Sequence, residues 1–172
     1  ADSLICKLSV KSRTTAGQCS VNGGTLLQYG NRNEDTLLRK LEKEGKAIQV
    51  CTILPDSIKG VLEEMCKEPG LFLTTGDHTM NVTMKSQYKQ GDLTHACWAF
   101  TNDGRNASFC YLTNKTWRWS HHDTGSTVKQ WEANKDQLED LRRISEGDFR
   151  DCLKKLSTHL REEPMSQALC GC

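Results

Sequence analysis

The stretch THACWAFTNDGRNASFCYL, residues 94–112, decides the fold. Asp103 and Gly104 suit a two-residue type I′ turn, because both central positions need positive φ and this pair tolerates it. Counting outward sets Phe100 against Ala107, Trp98 against Phe109 and Cys97 against Cys110. Strand alternation then predicts Trp98, Phe100 and Phe109 on one face and both cysteines on the other. That register suits a cross-strand disulfide between Cys97 and Cys110, and two buried thiols would fit it as well.

Working outward, LICKLSVK (4–11) alternates like a strand, and CSVNGGTLLQYG (19–30) reads as two strands about Gly23-Gly24. Cys6 and Cys19 fall on the first two of these, which a second cross-strand bridge would suit. From Glu34 the period changes. Leu37, Leu38 and Leu41 stand among charges, Gly45 breaks the pattern, and an apolar run reaches Leu54 before Pro55 kinks or ends it. Asp56 and Ser57 can cap a fresh helix with Ile58, Val61, Leu62 and Met65 on one stripe, stopped at Pro69-Gly70.

Strands resume around Met80 to Tyr88, in the hairpin, and at TWRWS (116–120). Beyond a capping segment, Asp123 to Thr127, the chain reads as helix to Glu163, with bends near Ala133-Asn134 and Gly147. Phe149, Cys152, Leu153, Leu156 and Leu160 form its apolar stripe. No period of roughly 20 to 50 residues recurs as a solenoid would require. Strands then helix, run twice, predict an α+β fold with halves at residues 1–70 and 71–163 and a tail at 164–172.

A chain of 172 residues can close one sizeable core. Its 23 basic and 22 acidic residues leave a net charge of +1, which carries no signal for nucleic acid. Nine cysteines without a CxxC ligand pattern favour an oxidising compartment over zinc. The sequons Asn81-Val82-Thr83, Asn106-Ala107-Ser108 and Asn114-Lys115-Thr116 agree, marking Asn81, Asn106 and Asn114 as glycosylation candidates. Neither a secretory signal nor a membrane span is evident, so Ala1 reads as a mature start and any anchor is expected beyond Cys172.

Asp123-Thr124-Gly125-Ser126 matches the aspartic-protease tetrapeptide, whose chemistry needs two carboxylates sharing a proton. Here it follows Ser120-His121-His122 rather than an apolar strand and precedes a helix, so it reads as an N-cap. His121, His122 and Asp123 are adjacent on extended chain, point apart and lack a converging third ligand. Trp98, Trp117, Trp119 and Trp131 read as core between sheet and helices before they read as a stacking platform. With no Ser/His/Asp order and no phosphate-cradling loop, neither an enzyme nor a cofactor or metal is expected.

Five segments carry a resemblance: SLICKLSV (3–10), GQCSVNGGTLLQYGN (17–31), TWRWS (116–120) with VKQWE (128–132), and GDFRDCLKKL (147–156). Together they resemble the stress-induced MHC class I-like ligands of an activating natural-killer receptor, natural-killer group two, member D. The rodent UL-binding-protein-like transcript and retinoic-acid-early-inducible proteins are of this branch. The resemblance implies an α1α2 platform of eight antiparallel strands under two long antiparallel helices on one face. It implies a cell-surface or shed ligand that activates a homodimeric C-type-lectin-like receptor without peptide or β2-microglobulin, with membrane contact only through an anchor outside this chain. Since apolar stripes turn inward, receptor contact is expected at Lys59, Glu63 and Lys67 of the first helix and Asp148, Asp151, Lys155 and Thr158 of the second. In MHC class I the cysteine matched by Cys152 bridges to a strand position occupied here by Ser86. The implied architecture brings Cys51 opposite Cys152; Cys66 is a poorer partner, and a free thiol is the remaining outcome. The fates of Cys66, Cys170 and Cys172 stay open. Two other readings are a groove holding a lipid or small ligand, and a secreted aspartic-type protease using Asp123.

Overall fold

The computed structural model describes residues 2–11, 13–30, 36–46, 48–67, 79–102, 105–113, 115–121 and 135–162. Seven strands form one antiparallel sheet: β1 (Asp2–Val10), β2 (Thr15–Val21), β3 (Gly24–Tyr29), β4 (Met80–Lys89), β5 (Asp92–Asn102), β6 (Arg105–Thr113) and β7 (Thr116–His121). Their order is β3-β2-β1-β4-β5-β6-β7, so two meanders meet where the first strand of each, β1 and β4, pair. These seven match the strands that residue patterns announce. An eighth, implied by the resemblance, is not among the described residues.

Alternation gives the sheet two unlike faces. Leu4, Cys6, Leu8 and Val10 of β1 are buried, as are Met80, Val82, Met84, Ser86 and Tyr88 of β4 and Ala96, Trp98 and Phe100 of β5. The register pairs Leu4 with Ser86, Cys6 with Met84 and Met84 with Trp98, so this is a single core face. The helical segments lie on it: α1 (Leu37–Lys43), α2 (Gln49–Thr52), α3 (Leu54–Lys67), α4 (Lys135–Arg143), a π turn (Ile144–Asp148) and α5 (Phe149–Glu162). α1 packs on β3, α3 on β1 and the π turn on β5. Because α2 meets α5 while the later α3 meets the π turn and α4, the two helical tracts run antiparallel.

The first tract is broken rather than one long helix. After α1 the chain closes a Schellman stop: Lys46 N–H reaches the Leu41 carbonyl at 2.8 Å and Gly45 takes φ of 71°. The Asp56-Ser57 cap is not used. α3 begins at Leu54, which places Pro55 in the first turn, where its missing N–H leaves no bond unmade. The expected turn about Gly23-Gly24 falls one residue earlier, on Asn22 and Gly23, at φ of 50° and 86°.

The hairpin register needs a correction. Phe100 pairs with Ser108, Trp98 with Cys110 and Cys97 with Tyr111. A bulge is the reason: between the rungs Phe100–Ser108 and Asn102–Arg105, Thr101 alone stands against both Asn106 and Ala107. Slipping by one residue moves a whole strand to the other face. Cys97 and Cys110 therefore share no rung, and Cys97 is a free thiol. Phe109 pairs with Ala99, and the aromatic face keeps Trp98 and Phe100, stacked with ring centroids 6.5 Å apart. The predicted turn residues, Asp103 and Gly104, lie outside the described residues.

Candidate functional site

The outer surface of the helices is built on α3, the π turn and α5. Ile58, Leu62 and Met65 of α3 are fully buried, which leaves Asp56, Gly60 and Glu64 exposed on the opposite side. At the α2–α3 break Ile53 is 50 % exposed. In the second tract Leu141, Ile144, Phe149, Cys152, Leu153 and Leu156 are buried, closing the space between helices and sheet.

The π turn is docked by polar bonds from the sheet. Trp98 Nε1 donates to Ser145 Oγ at 2.9 Å, Ser145 Oγ donates to the Leu141 carbonyl at 2.9 Å, and Tyr88 Oη donates to the Ser145 carbonyl at 2.7 Å. The buried side chains of Trp98, Tyr88 and Ser145 are thus all partnered, as burial requires. Outside it, Trp117 Nε1 donates to Glu146 at 2.8 Å, and Arg142 bonds both Glu139 and Glu146. Burial holds the Tyr88 hydroxyl well above the ordinary tyrosine range.

A disulfide joins the tracts: Cys51 and Cys152 are bonded with Cα atoms 5.0 Å apart. A second bond, Cys6–Cys19, lies on a rung of the β1–β2 ladder, Cα atoms 4.0 Å apart. Cys66 is free and half-buried, donating to the Val10 carbonyl at 3.7 Å; burial, with the Glu63 carboxylate adding, pushes its thiol up. Ser86, at the position where the resemblance implies a cysteine, is buried beside Leu4 on the core face.

The predicted contact residues are offset along the two tracts. Lys59 is 42 % exposed and pairs with Glu63 at 3.4 Å. Glu63 does not face outward freely: its side chain is only 14 % exposed and accepts from Thr15 Oγ1 at 2.7 Å. Asp148 and Asp151 are half-buried, while Lys155 and Thr158 are exposed. Burial raises the Asp148 carboxyl above the usual range, Asp151 adds to this and Arg143 opposes it. Since α3 lies against the π turn and α4, and α5 against α2, Lys59 and Glu63 share their segment with Asp148's turn, while Asp151, Lys155 and Thr158 lie on the helix that meets α2. Sequence reasoning missed Ile53, Asp56, Gly60 and Glu64. Ile53 sits in an apolar run whose break alone turns it outward; Asp56, Gly60 and Glu64 recur at helical spacing and could have been found by it.

The side chain of Lys67 lies outside the described residues, as do those of Asn106, Cys110, Trp119, His121 and Leu160. So do His122, Asp123 with the tetrapeptide it opens, Asn114, Trp131, Cys170 and Cys172. Among the described residues no cluster of three or more His, Cys, Asp or Glu is arranged to hold a metal. No helix among them is long and apolar enough to cross a membrane.

Comparison with known proteins agrees with this architecture. The chain is 40 % identical over 161 residues to histocompatibility antigen 60c of Mus musculus, covering 94 % of this chain and 74 % of that protein. It is 38 % identical over 166 residues to histocompatibility antigen 60b of Mus musculus, covering 96 % of this chain and 60 % of that one. No family model matches. An antiparallel sheet carrying antiparallel helical tracts on one face fits the MHC class I-like class. Within it, the chain belongs to the family of the histocompatibility antigen 60 proteins.

Proposed function

We propose that the chain is the recognition platform of a cell-surface, non-enzymatic ligand that engages a homodimeric activating C-type-lectin-like receptor, natural-killer group two, member D, through the outer faces of its helices. The observation that carries this reading is the Cys51–Cys152 bond. With side chains a helix is roughly 10–12 Å across, so two tracts joined at Cα atoms 5.0 Å apart leave no peptide-wide channel at that point. Beyond it, inward stripes from both tracts are buried against the sheet, which supports recognition of the helices themselves, without bound peptide. A crevice of about 420 Å³ between α1 and α5, lined by Val21, Leu37, Leu153 and Leu156 with Lys40 at its side, favours the groove-ligand reading as the second choice.

Binding to the immobilised receptor ectodomain tests the proposal. Reversing Lys59, Asp151 and Lys155 together is expected to weaken binding at least tenfold while circular dichroism stays native, because a few central residues dominate such interfaces. Unchanged affinity in the folded variant refutes helix-face docking; no binding by the unaltered protein refutes the receptor. Mass recovered on solvent extraction of purified protein would favour the crevice instead.

A further inference from the structure

The sheet face turned away from the helices has no cover among the described residues. Ser3, Ile5, Lys7 and Ser9 of β1 point outward there beside Asn81, Lys85 and Gln87 of β4. Ile5 is 39 % exposed, and a hollow of about 520 Å³ opens between Ile5, Lys85, Gln87, His95, Cys97 and Leu112. In the middle strand of the seven, this face also carries a sequon. Strand alternation puts Asn81 and Thr83, the two residues that define the motif, on the same open face, and sends Met80 and Val82 into the core. Asn81 is exposed, and Ser9 Oγ donates to its Oδ1 at 3.2 Å. The amide is thereby oriented with Nδ2, the atom that would be modified, pointing away from this contact.

We propose that Asn81 carries an N-linked glycan and that this glycan is what covers the open face of the sheet. In the reaction Nδ2 gives up one proton and bonds to the anomeric carbon of an oligosaccharide. The donor is a polyprenyl diphosphate-linked sugar, whose C1–O bond breaks as the diphosphate leaves with the electron pair. Two buried disulfides place the chain in the kind of compartment where such donors act. The position adapts to the addition, since no core side chain has to move. From β4 the glycan stands between Ser9 on one side and Thr101 on the other, two rungs from Lys7 and Ala99 on the same face. A bulky, hydrated group rooted there denies the face to any flat protein partner. Docking is left to the helix side, whichever receptor uses it.

The test uses protein secreted from mammalian cells. Peptide mass spectrometry is expected to find the Asn81 peptide glycosylated, with conversion of Asn81 to aspartate on enzymatic release. Thr83→Ala, which leaves Asn81 in place, is expected to abolish the modification. Trimming the folded glycoprotein to a single sugar is expected to raise the acetylation rate of Lys7 several-fold and leave that of Lys155 on the helix face unchanged. An unmodified Asn81 in the secreted protein, or a glycan that survives Thr83→Ala, overturns the site. Equal Lys7 rates before and after trimming overturn the cover.

Discussion

The two disulfides make a controlled comparison. Cys51–Cys152 closes a loop across 101 residues, whereas Cys6–Cys19 closes one across 13. In the chain-entropy description a bridge removes freedom from the unfolded chain in proportion to the logarithm of loop length, about 4.7 kcal/mol for the long loop and about 2.9 kcal/mol for the short one. Their difference, about 1.8 kcal/mol, depends only on the ratio of loop lengths. All four cysteines are fully buried, so replacing either pair by alanine removes similar packing and that loss largely cancels. The assay is urea unfolding of Cys51→Ala/Cys152→Ala beside Cys6→Ala/Cys19→Ala, extrapolated to water with each variant's own slope, because an uncrosslinked unfolded chain exposes more surface. We expect the inter-helix variant to lose about 1–3 kcal/mol more than the hairpin variant. Equal losses, or the reverse order, refute loop entropy as the source and assign the stabilisation to local contacts.

Trp98→Phe removes the only indole bond to Ser145 Oγ described at the π turn; leaving that buried hydroxyl without its donor is expected to cost about 1–3 kcal/mol, read as a fall in Tm of several degrees, and an unchanged Tm would show that the bond contributes nothing. Tyr29 and Tyr88 concern alkaline stability. Burial raises both hydroxyls, and each donates to a carbonyl, that of Pro55 or Ser145. The unfolded chain gives up these protons near pH 10 while the fold retains them, so stability should be level below that pH and fall as pH rises above it. Replacing both tyrosines with phenylalanine should flatten the decline in urea unfolding measured from pH 8 to 11; an unaltered slope would mean other groups set it.

Much of the fold was legible because alternation is a strong signal where one face is buried. β4 buries every second residue throughout and β1 does so from Leu4 onward, and the strands are found where the pattern puts them. The hairpin register was not legible. Its slip comes from two residues, Asn106 and Ala107, standing against one, and neither has a side chain that announces a bulge. Helix starts were blurred for a related reason: Pro55 ends one helical run or opens the next with equal local cost, and only packing of Leu54 into the core decides. For the candidate site, inward residues were easier to read than outward ones. Burial selects apolar side chains at Ile58, Leu62 and Met65, whereas exposure tolerates almost anything, including Ile53. Glu63 was misplaced because its partner, Thr15, lies 48 residues earlier in the chain.

The π turn also sets the angular phase of everything that follows it. In a continuous α-helix the residue four beyond Ile144 would share its side, and that residue is Asp148. Instead Phe149 N–H bonds the Ile144 carbonyl, five residues back, and Phe149 takes the buried position. The extra residue is absorbed inside the turn, so deleting Gly147 would put Phe149 four beyond Ile144 and leave α5 in phase. Tightening the turn to an α-helix with every residue kept would instead rotate α5 by about 100°, swinging Asp151 toward the core and Cys152 away from Cys51. The bond between the two tracts therefore also locks the turn in its wider form.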